Sequence, residues 1–121
     1  MKLHLNITDG LNNISAHGAG FVIINQQRYE TPVVVMPDRL ISPWEIGDTP
    51  SSADFEAVLQ LKPELVVFGS GAAFRFPDPR IMAMFAKAKI GFDVMDTPAA
   101  CRTYNVLMSE GRNVAAALLV E

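Results

Sequence analysis

A single cysteine, Cys101, stands among 121 residues, so an internal disulfide is excluded and packing alone must hold the fold. A lone thiol fits a reducing compartment. Histidine is nearly as scarce. His4 and His17 do not stand at metal-ligand spacing, and neither His-x-x-x-His nor Cys-x-x-Cys occurs. No metal or cofactor is expected. Charged residues make up only 19% of the chain and leave a formal net charge of −3 without a basic run. Nucleic-acid binding draws on clustered Lys and Arg to displace counterions, so it is not expected. Long apolar runs are missing too. Val33–Met36 and Val114–Val120 are too short to span a bilayer, and no membrane insertion is expected. The segment Met1-Lys2-Leu3-His4-Leu5-Asn6-Ile7 alternates, with Leu3, Leu5 and Ile7 on one side. That is a strand pattern, not a signal-peptide apolar core, and with no export signal the expected location is cytoplasmic.

What is present is core material. Half of the residues are apolar or aromatic, enough for one self-sufficient domain over residues 1–121. There is no repeat, linker or low-complexity segment. The first 44 residues read as short β elements. Asp9-Gly10 and Asn12-Asn13 are turn chemistry. Phe21–Ile24 is a strand, Asn25–Arg28 a hairpin connection, and Tyr29–Met36 the returning strand, with Pro32 at an edge or strand start. Leu40–Trp44 reads as a further short strand that leaves Trp44 half-buried at its end.

The second half alternates helix and strand. Ser51-x-x-Asp54 starts a helix over Ala53–Leu61, and Lys62-Pro63 ends it. Leu65–Phe68 reads as a strand buried on both faces of a parallel sheet. Asp78-Pro79 and Thr97-Pro98 are cap-then-proline starts for helices over Pro79–Lys87 and Pro98–Ser109. Phe92–Met95 and Val114–Val120 are strands, and Gly111 supplies the residue after a helix C-cap. Such alternation predicts an α/β domain with parallel strand pairs joined by right-handed crossovers.

No nucleophile, base and orienting group stand at catalytic spacing, and the acidic residues form no marked acid/base pair. Cys101 falls in the second turn of its helix, beyond the strongest dipole effect and without a local base. It is therefore expected to be packed and unreactive. Catalytic residues are none. Two other constellations stand out. Gly69-Ser70-Gly71 follows a buried strand, where open α/β sheets bind ligands. With Thr97, Arg102 and Asn105 it makes a candidate small-molecule or anion site, the plain alternative being a glycine turn and a solvated helix face. Phe74-Arg75-Phe76 is either an exposed recognition element for another protein or the loop's own anchor into the core.

Three stretches carry a resemblance. They are Glu64–Gly71, Met95-Asp96-Thr97-Pro98-Ala99-Ala100-Cys101-Arg102-Thr103-Tyr104-Asn105, and Glu110-Gly111-Arg112 with the apolar run behind it. The most distinctive part is Asp-Thr-x-x-Ala-x-x-x-Tyr-Asn followed by Glu-Gly-Arg. Together they resemble the family of mitochondrial complex I assembly factor 3 and its small bacterial relatives of unknown function. The resemblance implies a three-layer single domain. A central mixed, partly parallel sheet has helices on both sides, with a small N-terminal β element sharing one side. It implies no established enzymatic activity. The chain carries no transit peptide ahead of its first strand, so it reads as a bacterial-type member. The expected role is a non-catalytic interaction module whose partner is another protein, compatible with a homo-oligomer and more in keeping with assembly than with catalysis. A small-molecule or anion-binding protein, or an enzyme, with its site at the carboxyl ends of the parallel strands is the alternative.

Overall fold

The computed structural model describes residues 10–121. The expected first strand, with Leu3, Leu5 and Ile7, lies outside the described residues, as does His4. Three short strands come first: β1 (Ile14–Gly18), β2 (Phe21–Ile24) and β3 (Gln27–Tyr29), paired antiparallel in the order β1-β2-β3. The β2–β3 turn is tighter than the sequence suggests. Asn25 and Gln26 both take positive φ, 49° and 73°, as a two-residue turn of primed type requires, and Gln27 and Arg28 already belong to β3. The returning strand is also broken. It splits at Glu30–Pro32 into β3 and β4 (Val33–Met36), because the chain leaves the small sheet there and enters a larger one.

The larger sheet has five strands in the order β5-β4-β8-β6-β7, where β5 is Arg39–Ile41, β6 Leu65–Gly69, β7 Gly91–Met95 and β8 Val114–Leu118. The pairs β5/β4 and β4/β8 are antiparallel, and β8/β6 and β6/β7 are parallel. The helices are α1 (Ser52–Gln60), α2 (Pro79–Lys87) and α3 (Thr97–Ser109). Ser51 and Asp54 close the expected capping box on α1, and Asp78 caps α2 ahead of Pro79. At α3 the cap is Asp96 rather than Thr97. The Asp96 carboxylate accepts the Ala99 N–H at 2.9 Å, while the Thr97 hydroxyl is engaged elsewhere. Gly111, at φ 83°, follows the Glu110 C-cap as expected.

The three layers follow from handedness. The chain moves from β6 through α2 to its neighbour β7, then turns back through α3 to β8 on the other side of β6. Two right-handed crossovers that travel in opposite directions must lie on opposite faces of a sheet. Strand alternation matches. Val33, Val35, Val67, Val114, Ala116 and Leu118 face α3 and the small sheet. Val34, Met36, Val66, Phe68, Ala115 and Ala117 face α1 and α2. On the α1/α2 side Phe55 meets Trp44, Phe68, Phe85 and Phe92 edge-on, with centroids 5.1–5.9 Å apart. Such pairs add to the area they bury. Trp44 is buried rather than half-buried. It lies beyond the short β5 and turns inward, donating its indole N–H to the Asp54 carbonyl.

Packing is tight at the end of β6. A Cβ added to Gly69 would lie 2.9 Å from Thr97 Oγ1 and 3.0 Å from Thr97 Cα. Gly69→Ala is therefore expected to lower unfolding free energy by about 1–3 kcal/mol through overpacking. Gly47→Ala, at a position with nothing within 4 Å, leaves stability within about 0.5 kcal/mol. Urea unfolding of the two variants compares them, and equal midpoints would refute the assigned contact.

Candidate functional site

The three parallel strands β6, β7 and β8 end on the same side of the sheet, and one hydroxyl joins them. Thr97, first residue after the β7 end and the Asp96 cap, accepts the Gly71 N–H at 2.9 Å and donates to the Leu119 carbonyl at 2.6 Å. Backbone bonds reinforce the junction. Ser70 N–H donates to Met95 C=O, Thr97 N–H to Gly71 C=O, and Leu119 N–H to Gly69 C=O.

Beside this junction lies a cavity of about 250 Å³. Gly71 and Ala72 line it from the β6 end, Thr97 and Pro98 from α3, and Val120 and Glu121 from the β8 end. The β1–β2 hairpin closes it with His17, Gly18, Ala19 and Phe21. The location is the one that open parallel sheets use for ligands. Of the six residues the sequence grouped as a ligand site, Gly71 and Thr97 are in the wall. Gly69 and Ser70 sit behind it, buried at the strand end. Arg102 is exposed further along α3, outside the wall. Asn105 is outside it as well, and its amide is occupied. Oδ1 accepts the Ile14 N–H at 2.9 Å and Nδ2 donates to the Ile14 carbonyl at 2.7 Å, as a neighbouring strand would.

The loop from Ser70 to Asp78 leads out of the same junction. Ser70 is 1% exposed, and its Oγ donates to Ala73 C=O and accepts the Arg75 N–H. The Arg75 guanidinium donates to the Ser70 carbonyl at 2.9 Å and to Glu121 Oε2 at 2.7 Å, while Glu121 Oε1 accepts the Ala72 N–H. The Arg75 bond and the Ala72 N–H hold the Glu121 carboxyl below its usual range. Because the folded pKa is depressed, this contribution is present above the unfolded carboxyl pKa and is lost as pH falls through the folded value. Both side chains are about half exposed, so the pair is worth no more than about 1 kcal/mol. Pro77 is buried and ties the far end of the loop. Phe74 and Phe76 point outward, 51% and 73% exposed, with their rings edge-to-face at 4.9 Å. The loop's anchors are thus Ser70, Arg75 and Pro77, and the aromatics are left on the surface.

Cys101 is 1% exposed in the α3 core layer, and burial pushes its thiol up to about 12. Tyr104 is fully buried, shifted the same way by burial, and its hydroxyl donates to the Asn12 carbonyl. Among the described residues no group of three His, Cys, Asp or Glu side chains converges as a metal site.

Three comparisons bear on this arrangement. A family model described as "Protein of unknown function (DUF498/DUF598)" matches residues 14–119. This chain belongs to that family. It is 29% identical over 110 residues to NADH dehydrogenase [ubiquinone] 1 alpha subcomplex assembly factor 3 of Bos taurus, a match covering 88% of this chain and 59% of that protein. The chain thus spans little more than half the length of that relative. It is also 29% identical over 103 residues to a 13 kDa major membrane protein of Francisella tularensis subsp. holarctica (strain LVS), covering 83% of this chain and 84% of that one. Among solved structures, a protein from Bordetella parapertussis superposes with a TM-score of 0.84 at 31% identity, over 93% of this chain and 98% of the other.

The segments that carried the resemblance to assembly factor 3 have structural work here. Asp96 caps α3, Thr97 joins the strand ends, Tyr104 and Asn105 hold the chain at Asn12 and Ile14, and Gly111 ends the helix. Arg112 pairs with Glu64 at 2.7 Å. Sequence reasoning missed β1, the His17–Phe21 hairpin and Glu121 as parts of the site. Ser15, Ala16 and Gly18 carry no strand signal, and the Glu121 contacts to Ala72 and Arg75 join residues 49 and 46 apart.

Two expected outcomes follow from the junction and the buried thiol. Thr97→Val keeps the shape but leaves the Gly71 N–H and Leu119 C=O without their partner. It is expected to cost about 1–3 kcal/mol in chemical unfolding, most of which Thr97→Ser restores. In the native protein at pH 8, Cys101 is expected to react with iodoacetamide far more slowly than free cysteine and at full rate once unfolded; equal native and free rates would overturn the inert assignment.

Proposed function

We propose that this chain is a non-catalytic interaction module that helps assemble a protein complex, meeting its partner through Phe74, Arg75 and Phe76. The observation that carries this reading is the exposed Phe74–Phe76 pair on a loop whose backbone is pinned at Ser70, Arg75 and Pro77. A rigid loop loses little conformational freedom on docking, and exposed aromatic and arginine side chains are the types that dominate interface energies. Assembly as the purpose of the contact draws support from the relative in Bos taurus that is named an assembly factor. Two further facts support a non-catalytic role: the thiol is buried with its ionisation suppressed, and the polar groups of Gly71, Ala72, Thr97 and Glu121 at the strand ends are taken up within the chain.

The same proposal puts the chain in the cytoplasm, where a free buried cysteine stays reduced. No helix of the described residues is long and apolar enough to cross a membrane.

The test is affinity capture of the native protein from separated cytoplasmic and membrane fractions, repeated with Phe74→Ala and Phe76→Ala. A protein partner is expected in the cytoplasmic fraction, with each substitution weakening its binding by about 2 kcal/mol, roughly thirtyfold. Both variants should unfold at the wild-type midpoint because the rings are exposed. A partner retained by both variants rejects the Phe74–Phe76 surface, and a partner found only with membranes rejects the location.

A further inference from the structure

Beyond the docking loop, the cavity at the carboxyl ends of β6, β7 and β8 has no role in the proposal above, and its chemistry narrows what can fill it. Phosphate and carboxylate sites are built from backbone N–H groups left free by a loop or a helix start. Here the groups of the β6 end and of the α3 start are used within the chain. Gly71 N–H goes to Thr97 Oγ1, Ala72 N–H to Glu121 Oε1 and Thr97 N–H to the Gly71 carbonyl. Pro98 has none, Ala99 N–H goes to the Asp96 carboxylate, and Gly20 N–H, in the hairpin turn, goes to the Glu121 carbonyl. The α3 N-terminus is therefore closed to an anion. The charged side chain in the wall is the Glu121 carboxylate, which repels anions. Its oxygens already accept from Arg75 and Ala72, so it offers a cation little.

What remains is mostly apolar wall. Ala19, Phe21, Ala72, Pro98 and Val120 supply it. A dry apolar cavity of about 150 Å³ accommodates benzene, and this one, at about 250 Å³, has room for a larger ring system. The wall also holds the His17 imidazole, which makes no side-chain hydrogen bond to the described residues. An imidazole has one donor and one acceptor when neutral, enough to orient a guest with a single hydrogen-bonding group.

We propose that this cavity binds a small neutral aromatic molecule carrying one hydrogen-bonding group, with the ring against the apolar wall and the polar group on His17. Neither Phe74 nor Phe76 is in the cavity wall, so either assignment can fail without the other.

Amide NMR titration of the full chain tests it, with indole as the probe, benzene as the ring without a hydrogen-bonding group, and inorganic phosphate as the anion. Indole is expected to shift the amides of Gly18, Gly71 and Ala72 saturably, and phosphate to leave them unmoved. Ala72→Trp, at an exposed position on the rim, is expected to weaken indole at least about tenfold by filling the opening. Ala19→Trp blocks the hairpin side and serves if the first variant loses its native spectrum. His17→Leu is expected to weaken indole about two- to tenfold and to leave benzene unchanged. Absence of saturable indole shifts, unchanged indole binding in both tryptophan variants, or phosphate moving the same amides would overturn the site. Equal losses for indole and benzene in His17→Leu would overturn the role of His17.

Discussion

The hydroxyl of Thr97 joins the ends of three parallel strands, and much of that end of the molecule is arranged around it. It accepts from the chain leaving β6, donates to the chain leaving β8, and itself follows β7. Holding those strand ends together leaves no room at Gly69 for a side chain. It also sets Gly71 at φ 102°, a conformation L side chains rarely adopt, with Arg75 and Glu121 close against the space a Cβ would take. The route of the Ser70–Asp78 loop, the position of Glu121 and the floor of the cavity all follow from that junction.

A second constraint works through the sheet. Every residue of β4 and β8 is buried, and each strand feeds two cores by alternation. Alanines at 115–117 keep the centre thin, which suits a sheet covered closely on both faces. On one face α3 and the small sheet are stitched together by polar bonds at Asn12, Ile14, Tyr104 and Asn105. Those bonds bring the β1–β2 hairpin over the strand ends and so convert an open crevice into a cavity. The glycine loop that suggests an anion site in the sequence is, in the folded chain, a place where every assigned donor already has an acceptor.

The loop that carries Phe74 and Phe76 is the opposite case. Its polar groups are spent inward, on Ser70 and Glu121, and its aromatic rings, edge-to-face on each other, stay on the surface. A soluble surface tolerates single exposed apolar side chains without explanation, but a paired and backbone-fixed aromatic projection is the geometry by which proteins seat one side chain in another's pocket.

Local chemistry made much of this architecture legible in the sequence. Capping at Ser51 and Asp78, proline after a cap, Gly111 and the apolar runs at Leu65–Phe68 and Val114–Val120 each depend on neighbours a few residues away, so α1, α2, α3, β6, β7 and β8 form within a residue or two of where the pattern puts them. Turns and edges were less readable. Asn25–Gln26 closes a hairpin without glycine, β1 carries weak strand formers, and Thr97 was displaced from the cap because Asp96 serves it better. The partners of side chains were not readable at all. Whether Asn105 offered its amide to a ligand or to Ile14, and whether Phe74 and Phe76 went into the core or out of it, depended on contacts between distant segments. So did the question of whether the Gly71 N–H met an anion or a hydroxyl. The sequence by itself determined which elements form, because propensity, capping and periodicity act locally. Only the tertiary structure decided which polar groups remain unspent and which apolar ones remain exposed, because both are remainders left after long-range packing is complete.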